Sequence, residues 1–344
     1  MNSHTVPKRL LEQFAYYDPI TRSRRLWRYE KSKPPYGFAP PKTATRFDRH
    51  FLDPRNPGRE DVLESRLNRE VEQPVNLFIE HAGYRTFVPT RLQMLQLTAY
   101  MVLLWHRSRA RKAATRVQVE IVVSSMRSLL ANDQQIATLA AKWTLDIIAR
   151  GHPLARTVTT EEVRESLLKM IDDHLADDQI QHTYAGTIER ALSRPDDGML
   201  NGNWELLHTT PGEPFVIGDA PVVTWERTEN NFLIYGQGFS RPNVEVLFPI
   251  SPIACLHIQP LVRRTRRVHT PSTQEVNMAQ AAFATAHCFT NIHSDALNTL
   301  LPPSFGRAEI GVTAFNVAHR DYSNTMFEIL MNEGRWVQPP LRGH

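Results

Sequence analysis

Apolar residues recur along this chain first with a helical period and later with a strand period. Leu63, Leu67, Val71 and Val75 stand four apart, with Phe78 and Ile79 closing the stripe, which predicts an amphipathic helix from about Arg59. Pro74 lies inside it and should kink or divide it. A second helix is expected from Pro89-Thr90 to about Ser108. It turns apolar on all sides from Ala99 to Trp105, as a buried central helix does. The stretch 117–130 suits a helix or a strand. Ile136, Leu139, Ala140, Trp143 and Ile147 share one helical face. Thr159 and Glu162 have capping-box spacing ahead of Val163, and another helix is expected over 179–192.

After Gly202 the period changes. Residues 204–208, 215–225, 232–235, 244–248 and 253–258 read as short strands separated by Gly and Pro. A helix over 274–289 and one more strand near 310–315 follow. Near the start, Leu26-Trp27-Arg28-Tyr29 alternates like a half-buried strand. Helices grouped together and strands grouped together predict an α+β fold, a helical central region with a mainly antiparallel sheet in the last third. No linker-like segment interrupts the chain. A single large domain over 1–344 is expected, with lobes at 1–58 (strands and loops), 59–198 (helical) and 199–344 (β-rich, with a C-terminal helix).

Composition narrows the class without naming an activity. Of 344 residues, 41% are hydrophobic and 22% charged, too apolar for a disordered chain. The longest apolar run, Ala99 to Trp105, is far short of the roughly 20 residues of a membrane span, so no membrane partner is expected. The N-terminus has no apolar core of signal-peptide type. Cys255 and Cys288 are too few for a disulfide scaffold or a zinc cluster, and a reducing, cytoplasmic setting is the simplest expectation.

Charge adds one cue. The net charge is only +4, yet 33 of the 40 basic residues are Arg. Arginine suits bidentate recognition of phosphate or carboxylate. Arg107, Arg109 and Arg111 (with Lys112 and Arg116) and Arg263, Arg264, Arg266 and Arg267 form two clusters, which makes them nucleic-acid candidates. No Walker A, His-Glu-x-x-His, Gly-x-Ser-x-Gly or Cys-x-x-Cys signature occurs.

Three stretches carry a resemblance. The first is His4-Thr5-Val6-Pro7-Lys8-Arg9-Leu10-Leu11-Glu12-Gln13-Phe14. The second is Phe47-Asp48-Arg49-His50-Phe51 followed by the acidic run from Glu64 to Glu72. The third joins Trp204-Glu205-Leu206-Leu207 to Phe215-Val216-Ile217-Gly218-Asp219-Ala220-Pro221-Val222, then Phe248-Pro249-Ile250-Ser251-Pro252 and Asn277. On these the chain resembles the family catalogued as domain of unknown function 4238, found in bacteria and fungi. The family usually has Ser or Thr before the Asp and Asn after it, where Gly218 and Ala220 stand here. The resemblance implies a fold-sized unit with a shared polar centre, and no established reaction.

That centre supplies the candidate catalytic residues: His4, Asp219, Glu64, Glu72 and Asn277. Asp219 interrupts an apolar strand run, and a buried carboxylate is costly unless hydrogen-bonded, paired or metal-bound. Its alternative role is to accept backbone N–H bonds before Pro221. Glu64, Asn68 and Glu72, four apart, would line one helix ridge and offer hard ligands to Mg²⁺ or Mn²⁺, unless that ridge is a solvated, salt-bridged flank. His4 near a carboxylate would serve as general base or ligand, the alternative being an incidental N-terminal histidine. Two readings follow: a hydrolase or nuclease-like intracellular effector, or a binding protein whose polar centre only stitches the fold together. The first expects His4 and Asp219 in one pocket, with Glu64 or Glu72 on its wall.

Overall fold

The computed structural model describes residues 2–30, 33–48, 62–84, 86–149, 157–175, 177–193, 197–210, 212–227, 233–235, 238–239, 243–259 and 270–306. In chain order the first elements are β1 (Asn2–His4), α1 (Lys8–Gln13), β2 (Tyr16–Asp18), β3 (Ser23–Glu30), β4 (Lys33–Ala39) and β5 (Arg46–Asp48). Then come α2 (Val62–Leu67), a π turn (Asn68–Glu72), α3 (Gln73–Asn76), α4 (Ile79–Ala82), α5 (Arg91–Arg107), α6 (Arg109–Leu130), α7 (Asp133–Ala149), α8 (Thr160–Leu175), α9 (Asp177–Ser193) and α10 (Asp197–Leu200). The rest is β6 (Asn203–His208), β7 (Ile217–Gly218), β8 (Val223–Arg227), β9 (Leu233–Tyr235), β10 (Val244–Ser251), β11 (Ala254–Gln259), α11 (Thr273–Phe283), β12 (His287–Thr290), α12 (Asp295–Leu300) and a 3₁₀ turn (Pro302–Ser304). The fold is α+β with antiparallel sheets. Residues 310–315, where a last strand was expected, lie outside the described residues.

The described residues fall into two compact units, one within Met1–Ala114 and Gln181–Gly311, the other within Thr115–Ile180. The second unit is helical. Its core gathers Val119, Val123, Met126, Ile136, Trp143, Val163, Leu167 and Ile171. The spacing of Val119, Val123 and Met126 explains why 117–130 is a helix: only a 3.6-residue period turns all three to one core. Thr159 and Glu162 form the expected capping box, Glu162 N–H donating to Thr159 Oγ1 and Thr159 N–H to the Glu162 carboxylate.

The first unit is built on a five-stranded antiparallel sheet of order β6-β11-β10-β8-β9. Strand β10 is buried from Val244 to Ile250, so both sheet faces are covered. Val246, Phe248 and Ile250 join one large core with the buried helix α5 and with Val6, Leu10, Leu11 and Phe14 of the N-terminal segment. On the opposite face, Val223, Trp225 and Leu247 pack beneath Val276, Ala279 and Phe283 of α11. Val6, Leu10, Leu11 and Phe14 thus tie the N-terminal segment down by filling the core. Helix α5 starts at a Thr90–Gln93 capping box, as the Pro89-Thr90 signal predicts.

A second sheet runs β2-β3-β12-β7, with β4 on the other edge of β3. Two expectations change here. The apolar run 215–225 divides into β7 and β8, which belong to different sheets. The helix expected over 274–289 ends at Phe283, and His287–Thr290 form a strand between β3 and β7. The second change is tied to Asp219.

Candidate functional site

Asp219 follows β7 and is 1% exposed. Its carboxylate accepts from the backbone N–H of Thr285 (2.8 Å), Ala286 (2.9 Å) and His287 (3.3 Å), and from Thr285 Oγ1 (3.2 Å). These donors lie just past the end of α11. They stop the Ala-rich helix and turn the chain into β12, and Asp219 N–H completes the exchange by donating to His287 O at 3.0 Å. A Cβ on Gly218 would meet Gln280 O at 3.0 Å, so a glycine there lets β7 lie close against α11. Asn277 and Gln280 fasten that approach. Asn277 bridges Val216 N–H and Pro214 O, and Gln280 bridges Gly218 N–H and Pro221 O, each bond 2.9 Å. Asn277 is therefore committed to backbone groups.

The register of this sheet creates a polar row. Glu30 stands opposite His287 across β3 and β12. Gly218 opposite Cys288 sets Asp219 beside His287 on the other flank. Side chains paired this way share a face, with Cβ atoms about 5 Å apart. His287 Nε2 lies 3.4 Å from Glu30 Oε1. Arg28, two residues before Glu30 and so on the same face, pairs with it at 2.8 Å, and Lys33 at 3.1 Å. The result is an imidazole paired with Glu30, with two cations beyond Glu30, while the Asp219 carboxylate on the other flank is taken up by backbone N–H groups and Thr285 Oγ1.

Electrostatics suit this imidazole to base chemistry. Burial holds His287 below its ordinary 6.5; Asp219 and Glu30 oppose that, and Arg28 adds to it. The balance favours the uncharged imidazole. Burial pushes Asp219 up, against its hydrogen bonds from Thr285 and Ala286 and the charge of His287. Burial would also raise Glu30, but Lys33, Arg28 and His287 hold it below the usual carboxylate range. Cys288, on the neighbouring pair, is pushed well up by burial and by Asp219, so its thiol is inert.

Glu64 and Glu72 meet elsewhere. In an unbroken α-helix, residues eight apart are offset by about 80°; one extra residue in a π turn brings the offset to about 20°. Gln73 N–H reaches back five residues to Asn68 O, the mark of that turn. Pro74 follows at the start of α3, where its missing N–H would otherwise serve residue 70. The turn exposes Asn68 and lines up Glu64 and Glu72, and both ion-pair with the guanidinium of Arg107, which is 1% exposed. The expected three-residue ridge does not form. The two glutamates hold an arginine in place of a cation from solution. Among the described residues, no group of three or more His, Cys, Asp or Glu is placed to hold a metal ion.

Burial pulls Arg107 down, and Glu72 and Glu64 more than offset it. Burial raises Glu64, Tyr100 and Tyr184 around it. The Arg107 charge thus faces inward, which removes it from any polyanion-binding surface. Arg111 is half-buried over the Trp105 ring at 3.3 Å, whereas Arg109 is exposed. Arg263, Arg264, Arg266 and Arg267 lie outside the described residues. His4 is half-buried in β1, opposite Arg46 of β5. Asp219 shares no hydrogen-bond or ion-pair partner with Glu64 or Glu72 among the described residues.

His287, Glu30 and Arg28 were not candidates from sequence. The available signal was His287-Cys288-Phe289-Thr290, a β-prone run closing an Ala-rich one.

The fold and this site define an α+β protein with a histidine on a sheet face, its imidazole paired with Glu30 and its backbone N–H held by the buried Asp219. Residues 2–294 match the family described as protein of unknown function (DUF4238), and the chain belongs to that family. No curated protein and no solved structure gives a match. No helix among the described residues is long and apolar enough to cross a membrane.

Proposed function

We propose that the protein is a hydrolase acting on anionic esters, phosphodiesters of nucleic acid first among them, with His287 as general base. The observation that carries this reading is the His287–Glu30 pair, with Arg28 and Lys33 on Glu30 and the buried Asp219 near enough to act on the imidazole by its charge. The neutral imidazole takes a proton from water as the water oxygen bonds to phosphorus. Asp219 and Glu30 balance the imidazolium, the bond to the leaving oxygen breaks, and the proton passes to that oxygen. Arg28 and Lys33 supply positive charge for the anion. The chemistry needs no metal held by Glu64 and Glu72, whose partner is Arg107.

One observation favours a second reading, a binding protein whose polar groups serve the fold: Asp219 and Asn277 are both fully engaged with backbone. Controlled expression in bacteria separates the two. Under the hydrolase reading, the wild type arrests growth with loss of RNA or DNA integrity, while His287→Gln, folded by circular dichroism, does not. Equal growth with both, at equal soluble levels, supports the binding reading.

A further inference from the structure

The hairpin β2–β3 ends in a basic and aromatic tip that the His287 site does not use. Register sets Tyr16 opposite Arg25, Tyr17 opposite Arg24 and Asp18 opposite Ser23, which leaves Pro19, Ile20, Thr21 and Arg22 as the turn. Asp18 fixes that turn. Its carboxylate accepts from Ile20 N–H at 3.0 Å and from Thr21 Oγ1 at 2.7 Å, and it pairs with Arg25 Nε at 3.2 Å. Thr21 Oγ1 also lies 2.9 Å from Ser23 Oγ. Arg22 closes the turn with a φ of +48°, a left-handed conformation that glycine adopts freely and other residues seldom do. The turn is therefore held in one shape, and an arginine occupies the position where glycine would fit with least strain.

The side chains on this tip face water. Ile20 is 91% and Tyr17 64% exposed, and Arg22 and Arg24 are exposed beside them. Asp18 answers Arg25, whereas Arg22 and Arg24 carry no ion pair among the described residues. Tyr17 and Arg24 share a sheet face, with Cβ atoms about 5 Å apart, so a ring stands next to an unpaired guanidinium. Guanidinium groups grip phosphate oxygens bidentately, and exposed rings stack on unpaired bases. A tip already held in shape loses little conformational freedom when it binds. We infer that this tip binds single-stranded nucleic acid, with bases against Tyr17 and Ile20 and phosphates against Arg22 and Arg24. The inference rests on the hydrolase reading only for the choice of nucleic acid among polyanions. Arg24 precedes Arg28 by four residues on β3, about 13 Å along the strand, so a small diester at His287 does not reach the tip.

Fluorescence anisotropy of the full chain with labelled oligothymidylate and oligouridylate of about 12 nucleotides tests this. Saturable binding of at least one is expected, and whichever binds more tightly names DNA or RNA as the source. Tyr17→Ala should weaken it about fivefold or more, and Tyr17→Phe should restore it. Arg22→Ser combined with Arg24→Ser should flatten the slope of log affinity against log salt by about 1.4, the share of two phosphate contacts on a single strand. These positions are exposed, so the variants should fold and should hydrolyse bis(p-nitrophenyl) phosphate at the wild-type rate. A wild type that binds the oligonucleotides in this tip-dependent way yet hydrolyses no diester upholds the inference and removes the hydrolase reading. Absence of saturable binding of both up to about 100 μM protein at about 50 mM salt overturns the inference. So does binding that the tip variants leave intact, or tip-dependent binding of phosphatidylserine vesicles in place of the oligonucleotides.

Discussion

Arg107→Ala is expected to destabilise the first unit by about 3–5 kcal/mol, the cost of leaving buried carboxylates without their partner. Arg107 is 1% exposed, and both of its terminal nitrogens are engaged by Glu64 and Glu72. Truncation leaves two like charges side by side, and burial already raises Glu64 above its ordinary value. The variant should therefore show a characteristic pH dependence. Without the guanidinium, nothing offsets the burial that raises Glu64, which then binds its proton more tightly folded than unfolded, so stability falls as pH rises above its ordinary 4.5. Urea unfolding should find a larger deficit at pH 7 than near pH 4.5. Arg109→Ala, at an exposed neighbouring position, should shift stability by less than about 0.5 kcal/mol. A small, pH-independent loss in Arg107→Ala would mean that the two glutamates do not need their arginine.

Asp219→Ala should cost about 2–5 kcal/mol, because it strands the N–H groups of Thr285, Ala286 and His287. Asp219→Asn is the more informative change. Its one amide oxygen replaces only one of the two accepting oxygens and its NH2 faces the N–H donors of the other, so stability should drop by about 1–3 kcal/mol. The charge that balances a protonated His287 is gone, however, and hydrolysis should fall by about 10²-fold or more. A structural Asp219 predicts the opposite pattern: activity that follows the folded fraction in both variants. Thermal unfolding and rate, measured on the same samples, separate the two.

Much of the fold was legible because its signals are local. The caps at Thr90 and Thr159, the all-apolar stretch of α5 and the strand-rich last third each depend on residues a few positions apart. What was not legible depends on partners distant in sequence. The Ala-rich run after Asn277 reads as helix to Phe289; it stops at Phe283 because Asp219, more than 60 residues upstream, captures the next amides. His287 therefore looked like a helix residue, and Glu30 an ordinary strand end.

The candidate residues fared according to the same distinction. Asp219 stood out correctly as a carboxylate needing partners, but sequence gives no sign of whether those partners are backbone or substrate. Glu64 and Glu72 do converge, through a π turn that no α-helical spacing foretells, and they converge on an arginine grouped by sequence with a basic surface. Asn277 sits on the expected helix and serves its neighbouring strand.

The central claim is that His287 acts as a neutral general base, and a pH–rate profile tests it most directly. Hydrolysis of bis(p-nitrophenyl) phosphate by the wild type should rise with pH through an apparent pKa below 6.5, since burial depresses His287, and should plateau above it. His287→Gln should lose the rate by about 10²- to 10⁴-fold and the acid limb with it. A folded His287→Gln that hydrolyses the diester at the wild-type rate, with the same profile, would contradict the account.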